Sequence, residues 1–170
     1  MPFNTPWTDR IGEPDFIEGF VDFHRRARES WSPDHWHLLL GTWVGPSLIG
    51  TQGLLALDFL AQGSAETGSW IGQRFQRQGH GTEMRAAVLE LLFRGLGAVV
   101  ATSGALAGNV ASARVSEKLG YESAGERFVE PRGERVREQR LRLTRETWER
   151  RPRIEVEIAG LGPCLPLFGL

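Results

Sequence analysis

Apolar residues recur along the chain with two different periods, and the switches between them mark the elements. At residues 14–31, Phe16, Ile17, Phe20, Val21 and Phe23 follow helical spacing, and Arg25, Arg26 and Arg28 lie near the end, where cations suit the helix dipole. Strand-like runs follow at 35–44 and 48–57, separated by Gly45-Pro46-Ser47, which is short enough for a hairpin turn. Residues 66–71 read as a third strand after a turn-rich stretch at 61–65, and 72–81 is polar and glycine-bearing. A helix is expected over 82–94, where Met84, Ala87, Val88, Leu91 and Leu92 form one stripe and Gly95 and Gly97 can stop it. Then come a short buried strand at 98–102 and a helix at 109–119 ended by Gly120. Strands at 121–129 and 136–143 flank a turn at Pro131-Arg132-Gly133. A short helix is expected at 144–149, and the alternating Ile/Glu run at 154–158 reads as a further strand. Residues 1–12 read as a loop, and 160–170 is a Pro/Gly/Leu-rich tail. Strands interleaved with helices imply an α+β protein with a mixed α/β sheet.

Composition narrows the class. The 170 residues fit one domain, and 41% hydrophobic with 24% charged residues is a globular balance. We expect one domain over 1–150, with 151–170 forming a strand and tail that pack on it or on a second subunit; a homodimer is one such arrangement. The net charge of -1 leaves no basic field for nucleic acid. The arginines of 132–153 alternate with glutamates and read as a solvated, salt-bridged face. The single cysteine, Cys164, provides no disulfide framework and suits a reducing, cytoplasmic setting. No apolar run reaches membrane-spanning length, and no basic-then-apolar leader opens the chain. His35 and His37 alternate on an expected strand without the ligand set of a metal site, so no metal is expected.

The candidate chemistry is concentrated in Gln76-Arg77-Gln78-Gly79-His80-Gly81, between an expected strand and an expected helix. A helix N-terminus presents unpaired N–H groups and partial positive charge, and glycines let the backbone close around an anion. These features make a phosphate or pyrophosphate site, although an ordinary glycine turn has the same composition. Thr82 is a candidate cap for the helix. A P-loop fits poorly because Thr82 and Glu83, not lysine, follow Gly81, and so does the dinucleotide fingerprint, which lacks its third glycine.

Residues 76–81 resemble the Gln/Arg-x-x-Gly-x-Gly/Ala coenzyme A loop of the GNAT acyltransferases. The stretch Glu66-Thr67-Gly68-Ser69-Trp70-Ile71 and the run from Asn109 through Ser112 and Ser116 to Glu117-Lys118-Leu119-Gly120-Tyr121 are similar to the branch that contains the ribosomal-protein N-terminal acetyltransferases. The ending Leu143-Thr144-Arg145-Glu146-Thr147-Trp148 fits the same branch. Met1 to Thr8, Thr82 to Leu89 and Pro166 to Gly169 resemble mycobacterial members that use succinyl-coenzyme A. The resemblance implies a GNAT fold and transfer of an acetyl or succinyl group from acyl-CoA to a primary amine by direct attack on the thioester. The acceptor would be a small molecule, a protein N-terminus or a lysine. An alternative is a catalytically weak acyl-CoA-binding regulatory or interaction module.

The same resemblance assigns roles. The strands before the loop and after the helix splay apart, and the pantetheine lies between them beside Trp70 and Ile71. Gln76, Arg77, Gln78, Gly79, His80, Gly81 and Thr82 hold the pyrophosphate. Asn109, Ser112 and Ser116 share one helix face. Ser116 stands where many members carry a tyrosine that protonates the leaving thiolate. The bland reading of this face is that Asn109 caps the helix and the serines are small packing residues. Glu66 is a candidate general base or an exposed strand-end charge; Asp58 and water are further candidates. Trp7 and Trp31 are candidates for the acceptor cleft. Arg85 or Arg114 would be the cation for a succinyl carboxylate. The usual first strand and helix of the fold are expected to be missing here.

Overall fold

The computed structural model describes residues 5–152 and 154–170. The first half of the Met1-to-Thr8 resemblance therefore lies outside the described residues. Six strands form one mixed sheet in the order β1-β2-β3-β4-β6-β5. These are β1 (His35–Val44), β2 (Ser47–Leu57), β3 (Ser64–Ile71), β4 (Val100–Leu106), β5 (Glu122–Val129) and β6 (Val136–Thr144). All neighbours are antiparallel except β3 and β4. The helices are α1 (Phe16–Glu29), α2 (Phe59–Gln62), α3 (His80–Glu90), α4 (Val110–Leu119) and α5 (Arg145–Glu149). The β1–β2 hairpin turns through Gly45, at φ 54, and Pro46, with Val44 facing Ser47.

The pleat sorts the chemistry onto two faces. Leu38, Leu54 and Thr67 stand in one cross-strand row, while His37, Leu55 and Glu66 stand in the adjacent row on the other face. The first face carries α3 and α4. Its core includes Leu54, Ala65, Leu89, Leu92, Phe93, Ala101 and Leu143. The second face carries α1, which meets β1 where the Phe23 ring stands edge-on to His37 at 5.8 Å. No residue of α1 is buried.

The structure corrects several expectations. Helix α3 begins at His80 rather than Thr82, and its last turn, Leu91–Gly95, widens into a π-turn. Strand β4 covers 100–106, not 98–102; small residues such as Gly104 were no barrier to pairing with β6. Residues 59–62 form a helical turn, and Trp7–Arg10 form a 3₁₀ turn instead of open loop. The run at 154–158 is not a strand: it has no ladder partner among the described residues, and Ile154 and Ile158 remain exposed. The tail continues as a 3₁₀ segment, Gly162–Phe168, that packs on the domain. Phe168 is buried edge-on against Trp31 and Trp36, and the Trp31 indole N–H donates to Leu167 O at 2.7 Å. Trp31 thus anchors the tail.

Candidate active site

After β3 the chain runs through a 3₁₀ turn, Gln73–Phe75, into the loop and then α3. Gly79, at φ 93, is the N-cap residue, and Arg77 also takes positive φ, 61°, which is strained for a residue with a Cβ. Thr82 does not cap the helix. It lies inside the first turn, where its N–H donates to Gly79 O at 2.9 Å. The N–H groups of Arg77, Gln78, Gly79, His80 and Gly81 have no acceptor among the described residues. Two side chains brace the loop from within: Gln76 Nε2 donates to Ile71 O and Gln78 Nε2 to Arg74 O, each at 3.0 Å. A Cβ added at Gly79 would meet nothing within 4 Å, so the space over the loop is open. Five unpaired amides at a helix start, flanked by exposed Arg74 and Arg77, fit a pyrophosphate.

Next to the loop the sheet divides. Parallel pairing of β3 with β4 is confined to three positions, Ser64 with Val100 through Glu66 with Thr102, although both strands run on. Where the ladder stops, side chains take over. Thr67 Oγ1 donates to Thr102 O and Ser103 Oγ to Thr67 O, both at 3.1 Å. With its one proton committed, Thr67 Oγ1 accepts from the buried Tyr121 hydroxyl at 2.9 Å. Beyond this clamp Gly68 to Ile71 and Gly104 to Leu106 face a gap, where Gly68 O already accepts from Gln52 Nε2 and Ile71 O from Gln76 Nε2.

On the α3/α4 side of the gap lie Arg85, Ser69 and Ser116. Arg85 is only 4% exposed; its Nη1 donates to Ser116 Oγ and its Nη2 to Ser69 Oγ, each at 2.9 Å. Burial lowers the Arg85 pKa from its usual value and pushes the Tyr121 phenol up to about 12. Asn109 caps α4, its Oδ1 accepting from Ser112 N–H at 3.2 Å, and Ser112 is half-buried.

On the α1 side Glu66 is exposed, and the buried Glu138 pairs with Arg127. A Cβ on Gly104 would stand 2.8 Å from Glu138 Oε1, so glycine makes room for that carboxylate beside the gap. Trp7 packs on Trp70, ring centroids 5.6 Å apart, and Asp9 is gripped by both forks of Arg132. Asp58 caps no charge near the gap; it opens α2 in a left-handed conformation. Among the described residues no group of three or more His, Cys, Asp or Glu gathers as for a metal ion. A cavity of about 770 Å³ is an apolar groove between α3, β1 and the C-terminal tail, lined by Leu38, Met84, Leu91 and Ile158 and reaching His80 and Glu83 at the start of α3. A smaller one of about 240 Å³ lies where the end of β4 and the start of α4 meet β6, lined by Ala105, Leu106, Asn109, Arg137 and Gln139.

The loop and the gap define an acyl-CoA-dependent N-acyltransferase. A family model described as the acetyltransferase (GNAT) domain matches residues 4–122, and the chain belongs to that family. The chain is similar to RimJ of Mycobacterium smegmatis in complex with CoA-disulfide, at 17% identity and TM-score 0.71, over 90% of this chain and 71% of that one. It is also similar to a Vibrio cholerae spermidine N-acetyltransferase in complex with CoA and spermine, at 16% identity and TM-score 0.66, over 86% and 88% of the two chains. A third similar structure is a ribosomal-protein-S5-alanine acetyltransferase from Vibrio fischeri, at 15% identity and TM-score 0.60, over 79% and 70%. At these identities the structural likeness speaks for the fold.

The contiguous loop was visible in the sequence, but Ser69, Thr67, Tyr121 and Glu138 were not singled out for the contacts they make here. Their partners lie 16 to 54 residues away, except for the Glu138–Arg127 pair across the β5–β6 hairpin. Only the hairpin pair had a local signal, opposite charges on two adjacent strands.

Proposed function

We propose that the chain transfers an acetyl or succinyl group from acyl-CoA to a primary amine. The observation that carries this reading is the break in the β3–β4 ladder directly beside a loop of five unpaired amides. In this reading the amides of residues 77–81 hold the pyrophosphate, Gln76 and Gln78 keep the loop in shape, and the Thr82 hydroxyl adds a donor at the rim. The pantetheine lies in the gap beside Trp70 and Ile71, with Asn109 and Ser112 along the α4 side. The thioester comes to rest near Ser116.

The amine enters from the α1 face, where Glu66 or a water takes its proton. A free α-amine, with a pKa near 8, is partly neutral at physiological pH and needs little help. The sheet would then separate proton removal on one face from thiolate departure on the other. An acceptor among polyamines or protein amines is supported by what the similar structures are named for. The likeness of residues 82–89 and 166–169 to succinyl-CoA-using members supports a succinyl donor, and the acetyltransferase neighbours support acetyl.

The test is thiol release from acetyl- and succinyl-CoA in the presence of spermidine, an alanyl peptide or a lysyl peptide. Amine-dependent release with at least one pair is expected. Binding of both donors without release for any amine would remove the transferase reading for these acceptors and leave a binding module.

A further inference from the structure

The least explained feature of the site is a buried cation with no anion. Arg85 forms no ion pair among the described residues. Its Nε has no hydrogen-bond partner among the described residues. Arginine only donates, so Ser69 Oγ and Ser116 Oγ both accept from it and must turn their own hydrogens elsewhere. Neither hydroxyl has an acceptor among the described residues. Three elements, β3, α3 and α4, thus bring a full positive charge and spare polar hydrogens together with nothing negative between them. Burying a cation this way is costly unless an anion arrives. Tyr121 is the titratable neighbour that acts on the guanidinium, and its raised pKa keeps it neutral. Ser69 is half-buried and lies on the part of β3 from which β4 has separated, so it is the member of the cluster nearest the gap, with Arg85 and Ser116 buried behind it.

We infer that Arg85, with Ser69 and Ser116, forms an anion site for the sulfur of the departing coenzyme A thiolate. The inference rests on the proposed function above. As the amine nitrogen bonds to the thioester carbon, the C–S bond breaks and its electron pair goes to sulfur. The amine proton leaves to Glu66 or water on the α1 face. An alkyl hydroxyl is a far weaker acid than a thiol, whose pKa is about 8.5. Ser116 therefore cannot complete a proton transfer to sulfur; it can only hydrogen-bond. A fixed guanidinium takes over what a general acid would do and stabilises charge where it develops. The terminal carboxylate of a dicarboxylic acyl chain shares this chemistry, and the experiment separates the two sources.

The experiment follows the thiolate absorbance of bound coenzyme A against pH, with desulfo-coenzyme A as the binding control. In the wild type the bound thiol is expected to titrate roughly one unit below free coenzyme A measured in the same buffer. Arg85→Met should return it to the free value while binding desulfo-coenzyme A within about twofold of wild type, and Arg85→Lys should keep part of the shift. Ser69→Ala and Ser116→Ala, which keep the guanidinium, should each raise the bound value partway and serve if Arg85→Met does not fold. An unshifted thiol in the wild type, or an equal shift in Arg85→Met, overturns the inference while leaving coenzyme A binding intact. So does a preference for succinyl- over acetyl-CoA that vanishes in Arg85→Met without any thiol shift. Failure of both coenzyme A and desulfo-coenzyme A to bind removes the proposed function itself.

Discussion

The two faces of the sheet are built to different standards. On the α3/α4 face, Leu89, Leu92 and Phe93 are buried almost completely, and even polar groups such as Arg85, Thr67 and Tyr121 are enclosed and held by named partners. On the α1 face the helix buries nothing: Phe20 is 36% exposed, Ile17 and Val21 more so, and the charges of Glu66, Arg127 and Asp9 meet solvent. A cofactor of constant shape can be met by a preformed, rigid surface, and the buried face supplies one. An amine that must enter and leave needs an open face, and the α1 side is open. A single sheet divides the ordered side from the open one, and under the proposed function the β3–β4 gap would connect them.

Substitutions sharpen this contrast. Phe93→Ala on the buried face should cost about 3–5 kcal/mol of stability in denaturant unfolding. A loss under 1 kcal/mol would mean that the α3 face is as loose as the other. Alkaline pH should have the next largest effect. Tyr121 holds its proton to about 12 when folded against 10.0 otherwise, so its contribution is complete below pH 10 and fades as pH rises toward 12. About 2–3 kcal/mol is at stake over that window, and Tyr121→Phe should flatten this part of the pH–stability curve. Gly81→Ala should be neutral or stabilise α3 by roughly 0.5–1 kcal/mol, because its Cβ would meet Ile71 and Val115 at ordinary contact distance. Destabilisation there would show that the loop needs more than helical geometry at that residue. Phe20→Ala on α1 should cost less than about 1 kcal/mol, and a value matching Phe93→Ala would erase the difference between the faces.

What the sequence disclosed follows the same division between local and distant. The loop was legible because its marks, closely spaced glycines at the start of a helix, lie in consecutive residues. Asn109 was legible as a cap for the same reason, since it bonds three residues ahead. Arg85 was visible as one of two candidate cations for a succinyl carboxylate, but its contacts with Ser69 and Ser116 are brought about by the fold alone. The run at 154–158 misled because alternation describes any extended segment, paired or not, and its partner strand does not exist among the described residues. Strand β4 was cut short because Ser103, Gly104 and Ala105 look like a turn. Gly104 lacks a side chain because Glu138 packs over it from β6.

The most direct measurement is a calorimetric titration of the chain and of Gly79→Val with acetyl-, succinyl- and free coenzyme A. Gly79 has positive φ and open space above it, so the substitution should cost the fold only about 1–2 kcal/mol. In the bound complex, however, the new side chain would occupy the place of the phosphates. Binding of at least one form to the wild type, weakened tenfold or more in Gly79→Val, is the predicted result. Equal binding to both proteins, or none to the wild type, would contradict the assignment of this loop to the coenzyme.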